Sequence, residues 1–328
     1  MENIKLRLVK SNSLNPWYNL SLEEYLLDNV KSDEIILYLW QNDNTVVIGR
    51  NQNAWKECAW QQLADDGGKL ARRLSGGGAV YHDLGNLNFT FIMDNKHYNI
   101  EKHHSVIIDA LDKFNVKADF SGRNDMLIDG KKFSGHAYYT NNNKSYHHGT
   151  LMVNSDLEKL EYYLRPSEKK IKSKGIDSVR SRVANITDTN SSVTIEKLQK
   201  SMEESFCIIY NGECSHEIYE VTMEPIIKLY DKYSSWQWRF GQSPKFDVTY
   251  TERFPWGEVE FQLSLKNGEI IDSNIYTDAM DTELFSGLAE KLIGCKLQKN
   301  ELINTIGKKL INEEVKKDIL VWIYGLEI

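Results

Sequence analysis

Residues 72–83 read RRLSGGGAVYHD, three adjacent glycines behind two arginines. Consecutive glycines cost backbone entropy on folding, so their presence argues for a close approach or an unusual backbone angle. The run does not match the phosphate loop GxxxxGK(S/T), because no Lys-Ser/Thr follows Gly78, and it does not match GxGxxG opening a helix. Ala79, Val80, Tyr81 and His82 read instead as strand, so the loop joins strand to strand. In that setting the N–H groups of Gly76, Gly77 and Gly78 can converge on an anion, or a chain-like ligand can lie against the backbone. Arg72 or Arg73 would add charge in a form that grips phosphate or carboxylate at two points. A glycine-rich hairpin turn with surface arginines is the plainer alternative.

Lys132 is the second element. It follows the Asp129-Gly130 turn by two residues, on the returning arm of a hairpin predicted over 124–139. A hairpin arm is stiff, so the ammonium is aimed, and Gly135 would let a ligand come close. A compact point charge suits a place where two anionic groups meet; a solvated surface lysine is the bland alternative. Period-two alternation sends Lys131 to the opposite face. Asn124 and Asp125 precede the hairpin as an amide and a carboxylate. Mg2+ takes one or two carboxylates plus phosphates, so Asp125 is the candidate metal ligand, set against a plain turn aspartate. The pairs His103-His104 and His147-His148 do not read as chelates, because strand neighbours point opposite ways.

These residues sit in a chain of 328, 41% hydrophobic and 27% charged, which suits a globular protein of one large and one small domain, or of two comparable ones. Net charge is −7, against a general nucleic-acid binder. The charge is uneven: RPSEKKIKSKGIDSVRSR (165–182) carries seven Lys/Arg against two Asp/Glu, either a solvated helix or an anion clamp. No apolar run approaches the roughly 20 residues of a membrane helix, and MENIKLRLVK has no secretory h-region. Cys58, Cys207, Cys214 and Cys295 are scattered without a CxxC pair. Neither a disulfide framework nor a zinc site is predicted from them, and a reduced, cytoplasmic setting is expected.

The elements that must hold the loop and the lysine follow from periodicity. Asn15 caps and Pro16 begins a helix over 15–30. EIILYLW (34–40) and TVVIGR (45–50) read as a hairpin, and AVYH with NLNFTFIM (86–93) as a second strand pair. A helix over 104–114, a strand over 147–154, a helix capped by Ser155, a helix over 193–210 and a strand over 216–222 follow. WQWRF (236–240) reads as a packing cluster. A boundary near 240–257 separates a catalytic domain, 1–245, from a small domain, 253–328, made of a hairpin turning at Asn267-Gly268 and two or three helices. The fold class is α+β, with a large, mostly antiparallel sheet.

Taken in order, RRLSGGGAVYHDLGNLNFTF, SGRNDMLIDGKKFSGHAYY, HHGTLMVN and KGIDSVRSRVANI resemble the bacterial lipoate–protein ligase A family. NPWYNLSLEE, TVVIGRNQNAWKEC, WQWRFGQSP and ERFPWGEVE extend the resemblance over nearly the whole chain. It implies the biotin/lipoate ligase type of fold with an accessory C-terminal domain that swings between steps. It implies an ATP- and Mg2+-dependent enzyme that adenylates lipoic acid, releases pyrophosphate and passes the acyl group to a lysine of a carrier. The carriers implied are apo lipoyl domains of 2-oxoacid dehydrogenase acyltransferase subunits and the glycine-cleavage carrier protein, with no nucleic acid or membrane involved.

By the same resemblance, Arg73, Ser75, Gly76, Gly77, Gly78, Ala79, Val80 and Tyr81 belong to the loop that contacts lipoate and nucleotide. Asn124 and Gly135 flank Lys132, which matches the lysine that meets both acid and α-phosphate. Lys174 and Gly175 fall in the loop that closes over the adenylate. The family usually has a small residue, often serine, where this chain has His136, which would trim the pocket or alter acyl-chain preference. The dithiolane and its alkyl tail need an apolar slot, for which Val46, Leu87 and Phe89 are candidates. Three rivals remain: a cysteine-dependent octanoyl or lipoyl carrier-to-carrier acyltransferase of the same fold, with Cys58 nearest a motif; a biotin–protein ligase, whose GRGRxGR-type loop is absent; and a non-catalytic lipoate-binding protein.

Overall fold

The computed structural model describes residues 4–122, 124–164, 182–219, 224–240, 248–266 and 268–326. Its largest sheet has eight strands in the order β11-β1-β2-β6-β10-β9-β8-β7. Their ranges are β1 Lys5–Ser11, β2 Glu34–Trp40, β6 Asn86–Asp94, β7 Asp119–Ser121, β8 Asp125–Ile128, β9 Lys131–Asn141, β10 Lys144–Met152 and β11 Cys214–Tyr219. The β11–β1 and β1–β2 pairs are parallel and the rest antiparallel. A three-stranded sheet, β4 (Lys69–Arg72), β3 (Thr45–Ile48) and β5 (Val80–His82), packs beside it, and β12 (Val248–Phe254), β13 (Gly257–Lys266) and β14 (Glu269–Thr277) form a third.

Helices cover both faces of the large sheet, and the alternation of β2 shows why. Ile35, Leu37 and Leu39 pack with Val106 and Ala110 of the Ile100–Asp112 helix and Leu198 of the Ile195–Tyr210 helix. Ile36, Tyr38 and Trp40 pack with Leu22 and Leu26 of the Pro16–Asn29 helix. All seven β2 residues are therefore buried, as expected of a central strand between two layers. The Pro16–Asn29 helix starts where its sequence says: Asn15 Oδ1 accepts the Trp17 N–H at 3.1 Å, with Pro16 at the first position. A separate core lies within 250–326, where Val259, Phe261 and Leu263 of β13 pack on Leu302, Ile306 and Ile319 of the C-terminal helices. Three helices follow the β13–β14 hairpin among the described residues, Leu288–Leu292, Lys299–Lys309 and Glu313–Gly325.

Several expectations are corrected. β2 and β3 are not a hairpin: β2 pairs with β1 and β6, while β3 pairs with β4 and β5. Asn44, at φ 37°, turns the chain out of one sheet into the other. Likewise β5 and β6 are not partners, since β6 lies between β2 and β10. Strand periodicity is blind to such choices because both arms of each pair are apolar. Ser155 is not the cap of the Leu157–Tyr163 helix; Asp156 accepts from the Glu158 and Lys159 N–H groups. Cys207 and Cys214 are joined by a disulfide. The Ile195–Tyr210 helix ends on left-handed Asn211, and the reversal brings the two Cα atoms to 6.1 Å, a geometry that CxxC spacing does not encode. The 124–139 hairpin stands, with Asp129 and Gly130 at φ 50° and 77° in its turn.

Candidate functional site

The glycine loop links β4 to β5, so both its ends are fixed against β3. Within it, Arg73 holds the shape. Its guanidinium donates to the carbonyls of Gly76 (2.6 Å), Gly78 (2.8 Å) and Val47 (3.1 Å), and its Nε to Ser75 Oγ (3.0 Å). Burial lowers its pKa to about 10, which leaves it charged at neutral pH. Arg72 points elsewhere, donating to the carbonyls of Gly49, Arg50, Gln52, Trp238 and Arg239. Of the two arginines the sequence offered, Arg72 staples neighbouring segments and only Arg73 faces the cavity.

That cavity measures about 630 Å3. Gly77, Gly78, Ala79, Val80 and Tyr81 of the loop and its following strand line it, together with Asn124, Asp125, Lys132 and Gly135 of the hairpin. Ser75 and Gly76 stand behind the lining, in contact with Arg73. Lys132 Nζ lies 2.7 Å from Asp125 Oδ1, and both side chains remain about one-third exposed. Its tip also lies 3.0 Å from where a Cβ on Gly135 would sit, so this glycine makes room for the ammonium itself. Strict alternation would put residues 132 and 135 on opposite faces. The register shift between Met126 and Leu127 supplies the extra residue that brings both to the cavity.

Leu20, Trp40, Val47 and Ala137 give the cavity its apolar part. Val46, Leu87 and Phe89 are not in it. Leu87 and Phe89 face the helices on the other side of the sheet, and Val46 packs with Leu63 and Leu70 beneath β3. A one-residue step along each strand decides the face.

Lys174 and Gly175 lie outside the described residues. The chain flanking them, Leu160 and Leu164 before and Arg182 and Val183 after, lines the cavity. Val183 bridges to Lys132, and the Ala184 N–H donates to the Lys132 carbonyl at 3.0 Å.

A buried polar chain stands behind the glycine loop. Ser75 Oγ is 2.7 Å from His148 Nε2, His148 Nδ1 is 2.8 Å from Glu23 Oε1, and Thr90 Oγ1 donates to the same oxygen at 2.7 Å. Trp40 Nε1 in turn donates to Thr90 at 3.1 Å. Every member is satisfied when Ser75 donates to Nε2 and the Nδ1–H donates to Glu23. Glu23 and His148 escaped the sequence reading, yet a signal existed. Glu23 shares a stripe with Leu20 and Leu27, an acid on an apolar helix face that must find a partner. His82 also lines the cavity; it is fully buried, with Nδ1 3.0 Å from Asn42 Nδ2, and burial lowers its pKa to about 3.

The small C-terminal unit closes one side, with Arg253, Trp256, Asp278 and Met280 in the lining. Arg253 pairs with Asp278 at 2.7 Å. The Gly77 N–H donates to the Ala279 carbonyl at 3.2 Å, and a Cβ on Gly76 would lie 2.3 Å from that carbonyl oxygen. The loop's bareness thus serves the contact between the units as well as the cavity.

His136 is buried and reaches the lining, but its ring is engaged away from the slot. Nδ1 is 2.7 Å from His147 Nε2, and Nε2 is 3.0 Å from Ser134 Oγ. All four cysteines are described, and none lines the cavity: Cys58 is buried, Cys207 and Cys214 are bonded to each other, and Cys295 lies in the C-terminal unit. No described helix is long and apolar enough to cross a membrane.

Two family models match the chain. Residues 15–207 match the lipoyl protein ligase A/B catalytic domain, and residues 243–323 match the bacterial lipoate protein ligase C-terminus. A curated lipoate-protein ligase A of Blochmanniella floridana is 44% identical over 299 residues, covering 89% of each chain. The solved structure of P. falciparum LipL1 in complex with lipoate is 30% identical, covers 97% of this chain and 99% of its own, and superposes with a TM-score of 0.83. A lipoate-protein ligase A bound with ATP is 26% identical, covers 74% of this chain and 99% of its own, and has a TM-score of 0.62.

Proposed function

The chain belongs to the lipoyl protein ligase A/B family, and from that premise we propose that its cavity is where lipoate and ATP meet. It is an ATP-dependent, AMP-forming lipoate–protein ligase in this reading. The observation that carries the assignment of roles is one cavity lined both by the bare glycine loop and by a hairpin-borne lysine. An apolar slot formed by Leu20, Trp40 and Val47 suits the alkyl chain and dithiolane.

A lipoate carboxylate oxygen attacks the α-phosphorus of ATP, the bond to the β-phosphate oxygen breaks, and pyrophosphate leaves. Both partners are anionic, so a fixed positive charge between them lowers the repulsion in the transition state. Lys132 supplies that charge, and Arg73, spent on loop carbonyls, holds the glycine N–H groups in place and adds to the field. A carrier lysine amine then attacks the acyl carbonyl, loses a proton, and AMP departs with the mixed-anhydride oxygen. Lys132 can donate to the acyl oxygen in this second step. No protein nucleophile is required, and no cysteine lines the cavity, which speaks against the thiol-dependent acyltransferase.

Asp125 is a carboxylate at the cavity wall and fits the one or two that Mg2+ takes beside phosphates. It would hold the ion, whose chemistry is to neutralise phosphate charge. A role for Lys174 and Gly175 at the adenylate rests on the family resemblance; both lie outside the described residues, and Leu164 and Arg182 on either side of their segment line the cavity. The separate C-terminal core supports a catalytic domain at 1–245 and an accessory domain at 253–328. The carriers are apo lipoyl domains of 2-oxoacid dehydrogenases and the glycine-cleavage carrier.

Incubation with ATP, Mg2+, lipoate and an apo lipoyl domain tests the reading by intact mass. The carrier gains one lipoyl group, and omission of ATP abolishes the gain. Transfer without ATP, or lipoate binding with no pyrophosphate released, refutes it.

A further inference from the structure

Across the sheet from the polar chain of Glu23 and His148, four histidines from separate segments meet. His103 and His104 come from the second turn of the Ile100–Asp112 helix, His136 from β9 and His147 from β10. In the β9–β10 register His136 faces Gly149, so His147, two residues earlier on β10, is its diagonal neighbour on the same face. One donor nitrogen each of His104, His136 and His147 lies within 4.8 Å of the others. His104 Nε2 is buried and has no hydrogen-bond partner. Phe120 stacks on the His104 ring at 4.0 Å, and Phe89 closes on His136 at 5.5 Å.

The remaining contacts are those of a ligand set with its support. His147 Nδ1 is 3.1 Å from His103 Nδ1, which leaves Nε2 for a ligand, and Ser134 Oγ holds His136 Nε2, which leaves Nδ1. Outer partners of this kind fix the tautomer and the ring plane of metal-bound imidazoles. His136 Nδ1 and His147 Nε2 now share a 2.7 Å hydrogen bond. A tetrahedral ion bound at about 2.0–2.1 Å needs its nitrogens roughly 3.3 Å apart, so the His136–His147 pair would open by about half an ångström and the widest separation in the set, up to 4.8 Å, would close by roughly 1.5 Å. The unpartnered His104 Nε2 beside this pair calls for an explanation, which a bound ion would supply.

We propose that His104, His136 and His147 bind a divalent transition ion of the zinc type, with His103 and Ser134 as supporting partners. Three imidazoles and no carboxylate favour zinc-type ions over magnesium or calcium, so this site is distinct from the magnesium expected at Asp125. Pairwise reasoning along the sequence missed it: His147 and His148 do diverge on their strand, but His103 and His104 lie on a helix and both rings reach His147.

The test uses the full chain stripped with chelator, then given Zn2+ in excess Mg2+. Native mass spectrometry is expected to show one zinc per chain, Co2+ to give the visible bands of a tetrahedral site, and Zn2+ to raise the melting temperature. His104→Gln and His136→Ser each lower zinc affinity at least tenfold, and His216→Gln, altering an exposed histidine elsewhere, leaves it unchanged. If one of the two variants fails to fold, the other decides. A folded wild-type chain that takes up no zinc overturns the proposal, as does zinc held equally by both variants.

Discussion

Lys132→Ala is the most informative perturbation of the ligation chemistry. The ammonium and the Asp125 carboxylate are 33% and 30% exposed, so their 2.7 Å pair is screened by solvent and contributes at most about 1 kcal/mol to stability. The backbone of Lys132 stays tied through its carbonyl to Ala184 and through the β8–β9 ladder, independently of the side chain. Melting should therefore move by only a few degrees (~2–4 °C per kcal/mol in a chain of this size). The catalytic loss is larger. A unit charge about 4 Å from the reacting anions contributes up to about 4 kcal/mol at an effective dielectric constant of ~20. Partial exposure lowers that ceiling, and tenfold corresponds to about 1.4 kcal/mol, so the rate should fall between roughly ten- and a thousandfold. Removing the lysine also leaves the Asp125 carboxylate facing the substrates, which adds repulsion. Lipoate-dependent exchange of labelled pyrophosphate into ATP reads the adenylation step alone. Near wild-type exchange in a folded Lys132→Ala protein would remove the lysine from the mechanism.

Other outcomes follow from the same geometry. Gly135→Ala places a methyl 3.0 Å from the Lys132 tip, which the flexible chain can evade, so pyrophosphate exchange should drop severalfold with unchanged melting; unchanged exchange would mean the ammonium's position is not critical. Gly76→Ala sets a Cβ 2.3 Å from the Ala279 carbonyl oxygen, where backbone meets backbone, so hydrogen exchange at 277–280 should quicken as the small unit is forced off; identical protection would refute the contact. His82 is held neutral by burial with its pKa near 3, whereas an unfolded chain protonates it below about 6.5. The unfolded state then binds more protons, so stability falls as pH drops through that window, by about 1.4 kcal/mol at pH ~5.5. Urea unfolding of wild type and His82→Gln should show the gap between them narrowing by about 1.2 kcal/mol from pH ~7 to ~5.5, and a constant gap would contradict the burial argument.

What the sequence decided by itself was local and chemical. Three glycines in series, a lysine two residues past an Asp-Gly turn and an Asn-Pro helix start each act over a few residues, and each appears where its steric or capping requirement places it. Order along the chain was enough to mark the family, because the motifs are contiguous. Tertiary structure decided which strands became neighbours. β2 and β3 carry similar apolar runs, and only the packing of two helical layers and a second sheet separates them. It also decided the face of each residue at the register shift in the lysine hairpin, and hence that Lys132 and Gly135 share one wall. Arg72 and Arg73 are chemically identical neighbours, yet one, the last residue of β4, staples loops and the other, the first beyond it, shapes the cavity. The histidine cluster is the clearest case: contacts 11 and 44 residues apart in sequence bring its rings together, a proximity set by sheet register and helix docking.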